Sequence, residues 1–302
     1  MTISRVSTFA IHQSTLGDVS RVQANLADLQ GQISSGKQTD RFQGLGTQVE
    51  HFVSLESKIA KAENYVESGA IILARVNTSG LILDGIIETV DDIEDLLVLR
   101  RAASTGETLQ FRSQLLSMRD RITEALNSTF EGRHLFAGTR TNVPPVVDNP
   151  SSRIPGVADN AYYQGSSEDL IARLDDNIEI NYGLRADAEG FQKVIAAITQ
   201  ALNVDDDSSS GNPNLEAAQA LVQEGLQDLI AEKTDINANI VAIDAISVRH
   251  QELQLYWQGV KGRVIDTDIV AASTQVAIDQ TILQAAFQSF STINRLRLVD
   301  FL

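Results

Sequence analysis

The sequence predicts a mainly α-helical protein. Long antiparallel coiled-coil helices from both chain ends flank a small inserted α+β domain. Two long heptad patterns, an amphipathic stripe at each terminus and the distribution of proline support this prediction. All five prolines lie between residues 144 and 213, so the flanking stretches can form long helices without interruption. The predicted segments, in chain order, are an N-terminal assembly helix (1–40), a long helical hairpin of the core (41–130), an inserted small α+β surface domain (131–213), a long helix completing the core bundle (214–262) and a C-terminal assembly helix (263–302).

The first heptad pattern covers residues 52–97. Its mostly apolar or small members alternate in steps of three and four: Phe52, Leu55, Ile59, Ala62, Val66, Gly69, Leu73, Val76, Gly80, Leu83, Ile87, Val90, Glu94 and Leu97. This spacing is that of a coiled-coil seam. Gly69 and Gly80 within the seam indicate close approach of a neighbouring backbone. A shorter helix follows a turn near Thr105 and Gly106 and continues the same rhythm from Phe111.

The second heptad pattern lies on the other side of the proline-containing region. It runs through Leu215, Ala218, Val222, Gly225, Leu229, Glu232, Ile236, Asn239, Ile243, Ile246, His250, Leu253, Trp257 and Val260. Three of these positions, Glu232, Asn239 and His250, are polar. Polar residues in such a seam fix the register at some cost in stability, so we expect that role here.

Each terminus carries an apolar stripe over about 30 residues. The similar lengths suggest that the two helices pair, and Asp266 or Thr267 is expected to cap the second one. Isolated helices of this kind have marginal stability in water, so each stripe is expected either to fold back on its own chain or to be buried against copies of the same chain. The stripes need partners along their whole length, which favours a subunit that completes its folding in an assembly. The predicted assembly residues are Leu16, Val19, Val22, Leu26, Leu29 and Ile33 in the N-terminal helix, and Ile269, Val276, Leu283, Phe287, Phe290 and Ile293 in the C-terminal one.

The middle of the chain has a different pattern. It begins with turn-rich sequence and continues with β-like runs around Tyr162–Tyr163, Leu170–Leu174 and Ile178–Tyr182. A helix is then predicted over residues 186–202, ending before a charged and small polar loop. These features predict the inserted α+β domain.

Composition excludes several classes of function. The net charge is −16, which opposes binding to nucleic acid and to anionic membrane surfaces. There is no cysteine, so neither disulfides nor thiolate chemistry is expected. The sequence has no run of 18 apolar residues and no apolar segment typical of a secretory signal, so neither a membrane span nor a cleaved signal peptide is expected.

One stretch, residues 29–42, imitates a phosphate-binding loop. Gly31, Gly36 and Lys37 have the spacing of that motif, but Gln38 stands where a Ser or Thr must reach the magnesium. The residues before it have helical spacing, whereas the motif requires a preceding strand. Gly36 is therefore interpreted as the residue that ends the first helix.

No catalytic, cofactor-binding or metal site is predicted. The histidines, His12, His51, His134 and His250, are far apart, and none has a second His or Cys three or four residues away. The acidic runs at 91–95 and 205–207 lack the pattern of a calcium loop and are interpreted as solvated faces. The regular features of the chain concern packing, so we expect a protein that is not an enzyme.

Both ends of the chain resemble the flagellin superfamily. Residues 3–41, which contain ISSGK, are similar to the first helix of that family, and residues 266–302 are similar to its closing helix. Within the superfamily, FEGRHLFAGTRT at 130–141, followed by Pro144 and Pro145, resembles the proteins of the hook–filament junction. The ending LVDFL also favours them over filament flagellins, which remain the alternative.

The resemblance implies a structural role and a route to it. The chain would assemble with its own copies in a ring or helical array at the junction, between hook-associated protein 1 and flagellin. It would be extracellular and exported without a cleaved signal peptide. An export chaperone would bind the C-terminal helix, and no cofactor would be required. The stripe from Leu16 to Leu29 would then face that from Val276 to Ile293 in an inner tube.

Overall fold

The computed structural model describes residues 3–38, 49–102, 108–147, 154–203 and 212–299. These residues form long and short helices and two small two-stranded sheets, so the prediction of a mainly α protein with an α+β insertion is confirmed. The elements in chain order are α1 (Ile3–Ser35), α2 (Val49–Ala102), α3 (Thr108–Leu126), β1 (Thr129–Phe130), β2 (Arg133–His134), β3 (Ile171–Asp175), β4 (Ile178–Asn181), α4 (Glu189–Leu202), α5 (Pro213–Ile265) and α6 (Ile269–Val299).

The chain divides into two compact units. The terminal unit contains Met1–Lys61 and Leu253–Leu302, and the central unit contains Ala62–Glu252. Helices α2 and α5 contribute residues to both units.

The predicted seams of α2 and α5 form the core of the central unit. Leu83, Val90 and Leu97 of α2 are fully buried, as are Val222 and Leu229 of α5. The two helices are antiparallel: Gln223 donates a hydrogen bond to Glu94 near one end of the unit, and His250 stacks on Tyr65 near the other. The heptad patterns therefore identified the packed faces correctly, as far as His250 in α5.

The seam glycines permit the close approach that was predicted. A Cβ at Gly69 would lie 2.5 Å from Ser247 Oγ, and one at Gly80 would lie 3.3 Å from Ile236 Cγ2. A Cβ at Gly69 would force the Ser247 hydroxyl into another rotamer and would bring Ser247 Cβ to 3.7 Å, which is van der Waals contact. These positions therefore hold the two helices at a short separation.

The α+β segment contains the predicted helix and two of the three predicted strands. Strands β3 and β4 are antiparallel, with Ala172 opposite Ile180, and β1 pairs with β2. The run at Tyr162–Tyr163 makes only an isolated bridge to Val146. Helix α4 crosses α5 closely, because a Cβ on either Gly190 or Gly225 would lie about 3 Å from the other helix.

The α+β segment also shares its core with the long helices. One continuous cluster of buried side chains includes Phe136, Leu174, Phe191 and Ile198 together with the α2, α3 and α5 seams. Removing this segment would therefore expose the apolar faces of α2 and α5 within the central unit.

Two of the polar seam residues contact the β3–β4 hairpin. Asn239 donates a hydrogen bond to Asn181 O over 3.0 Å, and His250 Nε2 donates to Leu174 O over 2.9 Å. Glu232 is half-buried, and burial raises the pKa of its carboxyl above the usual value, with a further contribution from nearby Asp235. Asn239 and His250 therefore position the hairpin on α5, which is a more specific role than the register-fixing expected from the sequence.

One described helix, α2, is long and apolar enough to cross a membrane by length and composition alone. A core helix of a folded protein meets the same criterion. The seam of α2 is buried against its own chain from Val76 to Leu97, whereas Ile71 and Leu81 of the same helix are mainly exposed.

Candidate assembly interface

Helices α1 and α6 pack side by side in the terminal unit, as predicted. Their directions are opposite, because Asn25 of α1 contacts Asp279 of α6 while Gln32 lies near Thr267. Helices α1 and α6 thus form an antiparallel pair from the two ends of the chain. We call this pair the terminal hairpin, although no turn joins the two helices directly.

The N-terminal helix presents a half-buried stripe along this contact. Five of the six predicted residues lie on it: Val19, Val22, Leu26, Leu29 and Ile33. Leu16 does not, since its side chain is 54% exposed. No side chain of residues 13–35 is fully buried. The contact with α6 therefore shields the stripe of α1 only in part.

The C-terminal helix has the same incomplete burial. Val276, Leu283 and Phe290 are half-buried, whereas Ile269 and Phe287 are each more than half exposed. The side chain of Ile293 lies outside the described residues. Further apolar side chains of α6 also face outward, with Val270 78% exposed and Ile278 and Ile282 nearly half exposed. The structure thus brings most of the predicted residues into one hairpin but leaves much of their surface open.

A short backbone bridge closes one end of this hairpin. Thr267 N donates to Gly36 O over 2.9 Å, and Gln38 N donates to Ile265 O over 2.7 Å. Gly36 has a φ of +71°, directly after the last residue of α1, which confirms it as the helix-ending glycine. Residues 29–38 therefore form a helix end and not a phosphate loop, because a helix precedes them where that loop needs a strand.

The start of α6 is capped by Asp268. Its Oδ1 accepts hydrogen bonds from Val270 N and Ala271 N, each over 3.0 Å. The expectation that Asp266 or Thr267 would cap this helix is therefore wrong by one or two residues. Those two residues are used in the bridge to the end of α1 instead.

Sequence reasoning missed a polar contact inside the apolar stripe. Asp279 is only 4% exposed and accepts a hydrogen bond from Asn25 Nδ2 over 2.6 Å. A signal was present, because Asp279 follows the buried Ala272 by seven residues and precedes Leu283 by four. Those steps place it on the seam, where a carboxylate is unusual.

The parts of α2 and α5 in the terminal unit are joined by lysines and aromatic rings. Lys58 Nζ lies 4.4 Å from the centre of the Trp257 ring, and Lys261 Nζ lies 4.9 Å from that of Phe52. Lys261 also pairs with Glu56 over 2.8 Å. Such contacts stabilise without requiring a dry core.

The described residues offer little for chemistry. No group of three or more His, Asp or Glu side chains among them is placed to hold a metal ion. His134 and His250 each donate a hydrogen bond to a backbone carbonyl. An open groove of about 440 Å³ in the central unit lies between α2 and α3 and is lined by Asp92, Asp95, Leu96, Leu99, Gln114, Ser117, Met118 and Arg121.

Comparison with known proteins confirms the flagellin-like character of the chain. Residues 6–141 match the bacterial flagellin N-terminal helical region. That region covers α1, α2, α3 and the first hairpin. The class that this match indicates is that of the flagellin-like proteins, which the first part of the chain resembles.

Within this class, the likeness to hook-associated proteins extends over almost the whole chain. Flagellar hook-associated protein 3 of Escherichia coli (strain K12) is 17% identical over 97% of this chain and 98% of its own length. A protein described as a flagellar hook-associated protein from Vibrio parahaemolyticus has the same fold, with a TM-score of 0.58 over 71% of this chain and 96% of its own at 18% identity. Bacillus cereus FlgL superposes with a TM-score of 0.51 over 64% of this chain and 98% of its own at 15% identity.

Two glycines of the N-terminal helix allow a matched test of its end. Replacing Gly36 with Ala forces a side chain into a left-handed conformation and should destabilise the terminal unit by about 1–2 kcal/mol. Replacing Gly31 with Ala, inside α1 and with nothing within 4 Å, should stabilise it by about 0.5–1 kcal/mol. Thermal unfolding followed by the fluorescence of Trp257, the single tryptophan, measures both effects. Shifts of the same sign would contradict the assignment of Gly36 as the helix end.

Proposed function

We propose that this chain is a structural subunit of the bacterial flagellum, an adaptor at the hook–filament junction that joins hook-associated protein 1 to the filament. The observation that carries the proposal is the incomplete terminal hairpin, in which apolar stripes on both ends of the chain stay partly open to solvent. The likeness to hook-associated protein 3 extends over 97% of the chain and supports the hook–filament junction as the place where such a subunit would act.

The two units differ in how far they complete their own cores. The central unit contains a continuous cluster of buried apolar side chains, so it can be stable alone. In the terminal unit, the described apolar side chains that are buried are Phe52, Leu55 and Ala272. A helix pair that buries so little apolar area has only marginal stability in water, because ordering each residue costs about 1–2 kcal/mol of conformational entropy. Contacts with other subunits would bury the apolar side chains that the terminal unit leaves exposed.

Copies of the same chain are the proposed partners for the open stripes. Contacts repeated between identical subunits build a ring when the rotation closes, and a helical array when it does not. In this proposal, the α1–α6 hairpins line the inner part of the assembly. Hook-associated protein 1 would contact one side of the array and flagellin the other.

The exposed apolar side chains of α6 also suggest how the subunit is kept from associating before it is exported. An apolar helix such as α6 would be bound by an export chaperone until the subunit reaches the end of the flagellum. The chain would be exported without a cleaved signal peptide and would function outside the cell. The absence of cysteine suits a chain that crosses an export channel unfolded, since no disulfide has to form or break.

The proposed role is mechanical and does not involve catalysis. The groove between α2 and α3 is open, and its two acidic residues face solvent together with Arg121 and neutral side chains. The proteins to which the chain is similar are named as a flagellin and as a flagellar hook-associated protein, which supports this proposal.

A filament-forming flagellin is the alternative function. The match of residues 6–141 favours it as much as it favours a junction protein, because the matched region is named for flagellin itself. The two functions differ in where the protein lies and in how many copies are present.

Immunogold labelling of detached flagella distinguishes these functions. We expect a single labelled band at the boundary between hook and filament. Label along the whole filament would contradict the junction role and indicate a flagellin. Labelling of the same cells with antibody against the filament protein is the control for access along the length.

A pair of substitutions in α6 tests the importance of the stripe. Leu283→Asp with Phe290→Asp places two carboxylates where apolar burial is proposed, so incorporation into flagella should fall at least about a hundredfold. The monomer should remain folded, since neither residue belongs to the core of the central unit. Quantitative immunoblots of sheared flagella measure incorporation.

The matched control is Gln284→Asp with Gln288→Asp, which adds the same charge at exposed positions of the same helix. This control should be incorporated nearly as well as the parent. Normal incorporation of the Leu283 and Phe290 variant would contradict the proposal.

A further inference from the structure

The buried charge between the two terminal helices has no evident structural need. Among the described residues of the terminal unit, Asp279 is the one charged side chain that is buried, at 4% exposure. Its neighbours Ile278 and Ile282 are nearly half exposed. A carboxylate thus occupies one of the best-shielded places in a hairpin that leaves large apolar side chains in water, although burying a charge is costly.

The local contacts offset this cost in one arrangement only. Asp279 Oδ2 accepts a hydrogen bond from Asn25 Nδ2 over 2.6 Å, and Oδ1 accepts one from Gln275 Nε2 over 2.9 Å. Gln275 lies on the same helix and moves with Asp279. Asn25 lies on α1, so its hydrogen bond depends on the alignment of the two helices.

The apolar contacts of the hairpin do not define that alignment. The stripe of α6 repeats every seven residues through Val276, Leu283 and Phe290, and that of α1 through Val22 and Leu29. After a slip of seven residues, one apolar side chain replaces another at nearly the same place. Apolar burial therefore distinguishes these registers weakly.

The backbone bridge does not provide side-chain specificity either. It consists of hydrogen bonds between main-chain groups at Gly36, Gln38, Ile265 and Thr267. The bridge fixes the end of α1 at Gly36, but its main-chain groups do not distinguish between the side chains that face each other along the two helices.

We infer that Asn25 and Asp279 are the residues that determine the register of α1 against α6. In one seven-residue slip Asp279 would lie level with Asp18, where two carboxylates repel each other. In the other slip it would lie level with Gln32, which in the native register contacts Asp28 over 2.9 Å and Thr267 over 3.5 Å and would lose the second contact. In both slips Asn25 would lie level with an alanine, Ala272 or Ala286. Only the native register pairs Asp279 with Asn25 and also keeps Gln32 in contact with Thr267.

This inference does not depend on where the protein acts. It concerns the folded chain by itself, and it would hold for a junction protein or for a flagellin. Its consequence for assembly is that each subunit would present its open stripes in a single alignment.

Engineered disulfides can report the register of α1 against α6, because the natural chain has no cysteine that would compete. Val22→Cys with Leu283→Cys reports the native alignment. Val22→Cys with Val276→Cys and Leu29→Cys with Leu283→Cys report the two slips. Each pair is introduced into the full-length chain, oxidised in dilute solution, and quantified by non-reducing peptide mapping of the monomer.

In the otherwise natural chain we expect the native pair to exceed each slipped pair by at least about tenfold, the range expected from a hydrogen bond to a charged group. Asn25→Leu with Asp279→Leu keeps the helices apolar enough to pair but removes the discrimination. The slipped cross-links should then rise about tenfold. If they stay at the level of the natural chain, the inference is overturned.

Two further variants separate register from general effects. Gln23→Leu with Gln280→Leu replaces one exposed amide on each of the two helices, and the slipped cross-links should not rise. Asn25→Asp with Asp279→Asn exchanges the two side chains, so the hydrogen bond and the native register should persist. Slipping in the exchanged variant to the extent seen with both leucines would contradict the inference, as would equal slipping in the exposed control.

Discussion

Two helices packed side by side can shield only the faces that they turn to each other, and the α1–α6 hairpin illustrates this limit. Its stripes are half-buried, and large side chains such as Phe287 and Val270 remain mainly in solvent. The central unit also exposes apolar side chains, such as Leu81 at 72%, but its helices α2, α3, α4 and α5 surround one continuous buried core. This difference in burial separates a part of the chain that completes its own fold from a part that needs further subunits, and the proposed role in the flagellum depends on it.

Polar residues provide the specificity that apolar periodicity lacks. In the central unit, Asn239 and His250 hydrogen-bond to main-chain carbonyls of the β3–β4 hairpin and so position it on α5. In the terminal unit, Asn25 and Asp279 meet between two stripes that repeat every seven residues. In each case a polar group at a seam position has its partner in one arrangement only. A helical subunit that must repeat without error in an array benefits from such restraints.

Much of the fold follows from local physical rules and was predictable. Heptad spacing identified the buried faces of α2 and α5, and the left-handed preference of glycine identified Gly36 as the end of α1. Other features depend on contacts that spacing does not encode. The sharing of one core by α4, the hairpins and the long helices requires knowledge of which faces meet, and Asp268 rather than Asp266 caps α6 because the bridge to α1 occupies its neighbour. The division into five segments and the assembly residues remain predictions, although five of the six residues named on α1 are half-buried.

Hydrogen exchange tests most directly whether the terminal helices gain their stability from assembly. In the dilute monomer, amides of α1 and α6 should exchange at least about a hundredfold faster than those of α2 and α5 in the central unit, as expected where little apolar surface is buried. In purified flagella or reconstituted arrays, the same α1 and α6 amides should become as slow as those of the core. Strong protection of both helices in a solitary, non-associating monomer would contradict the account.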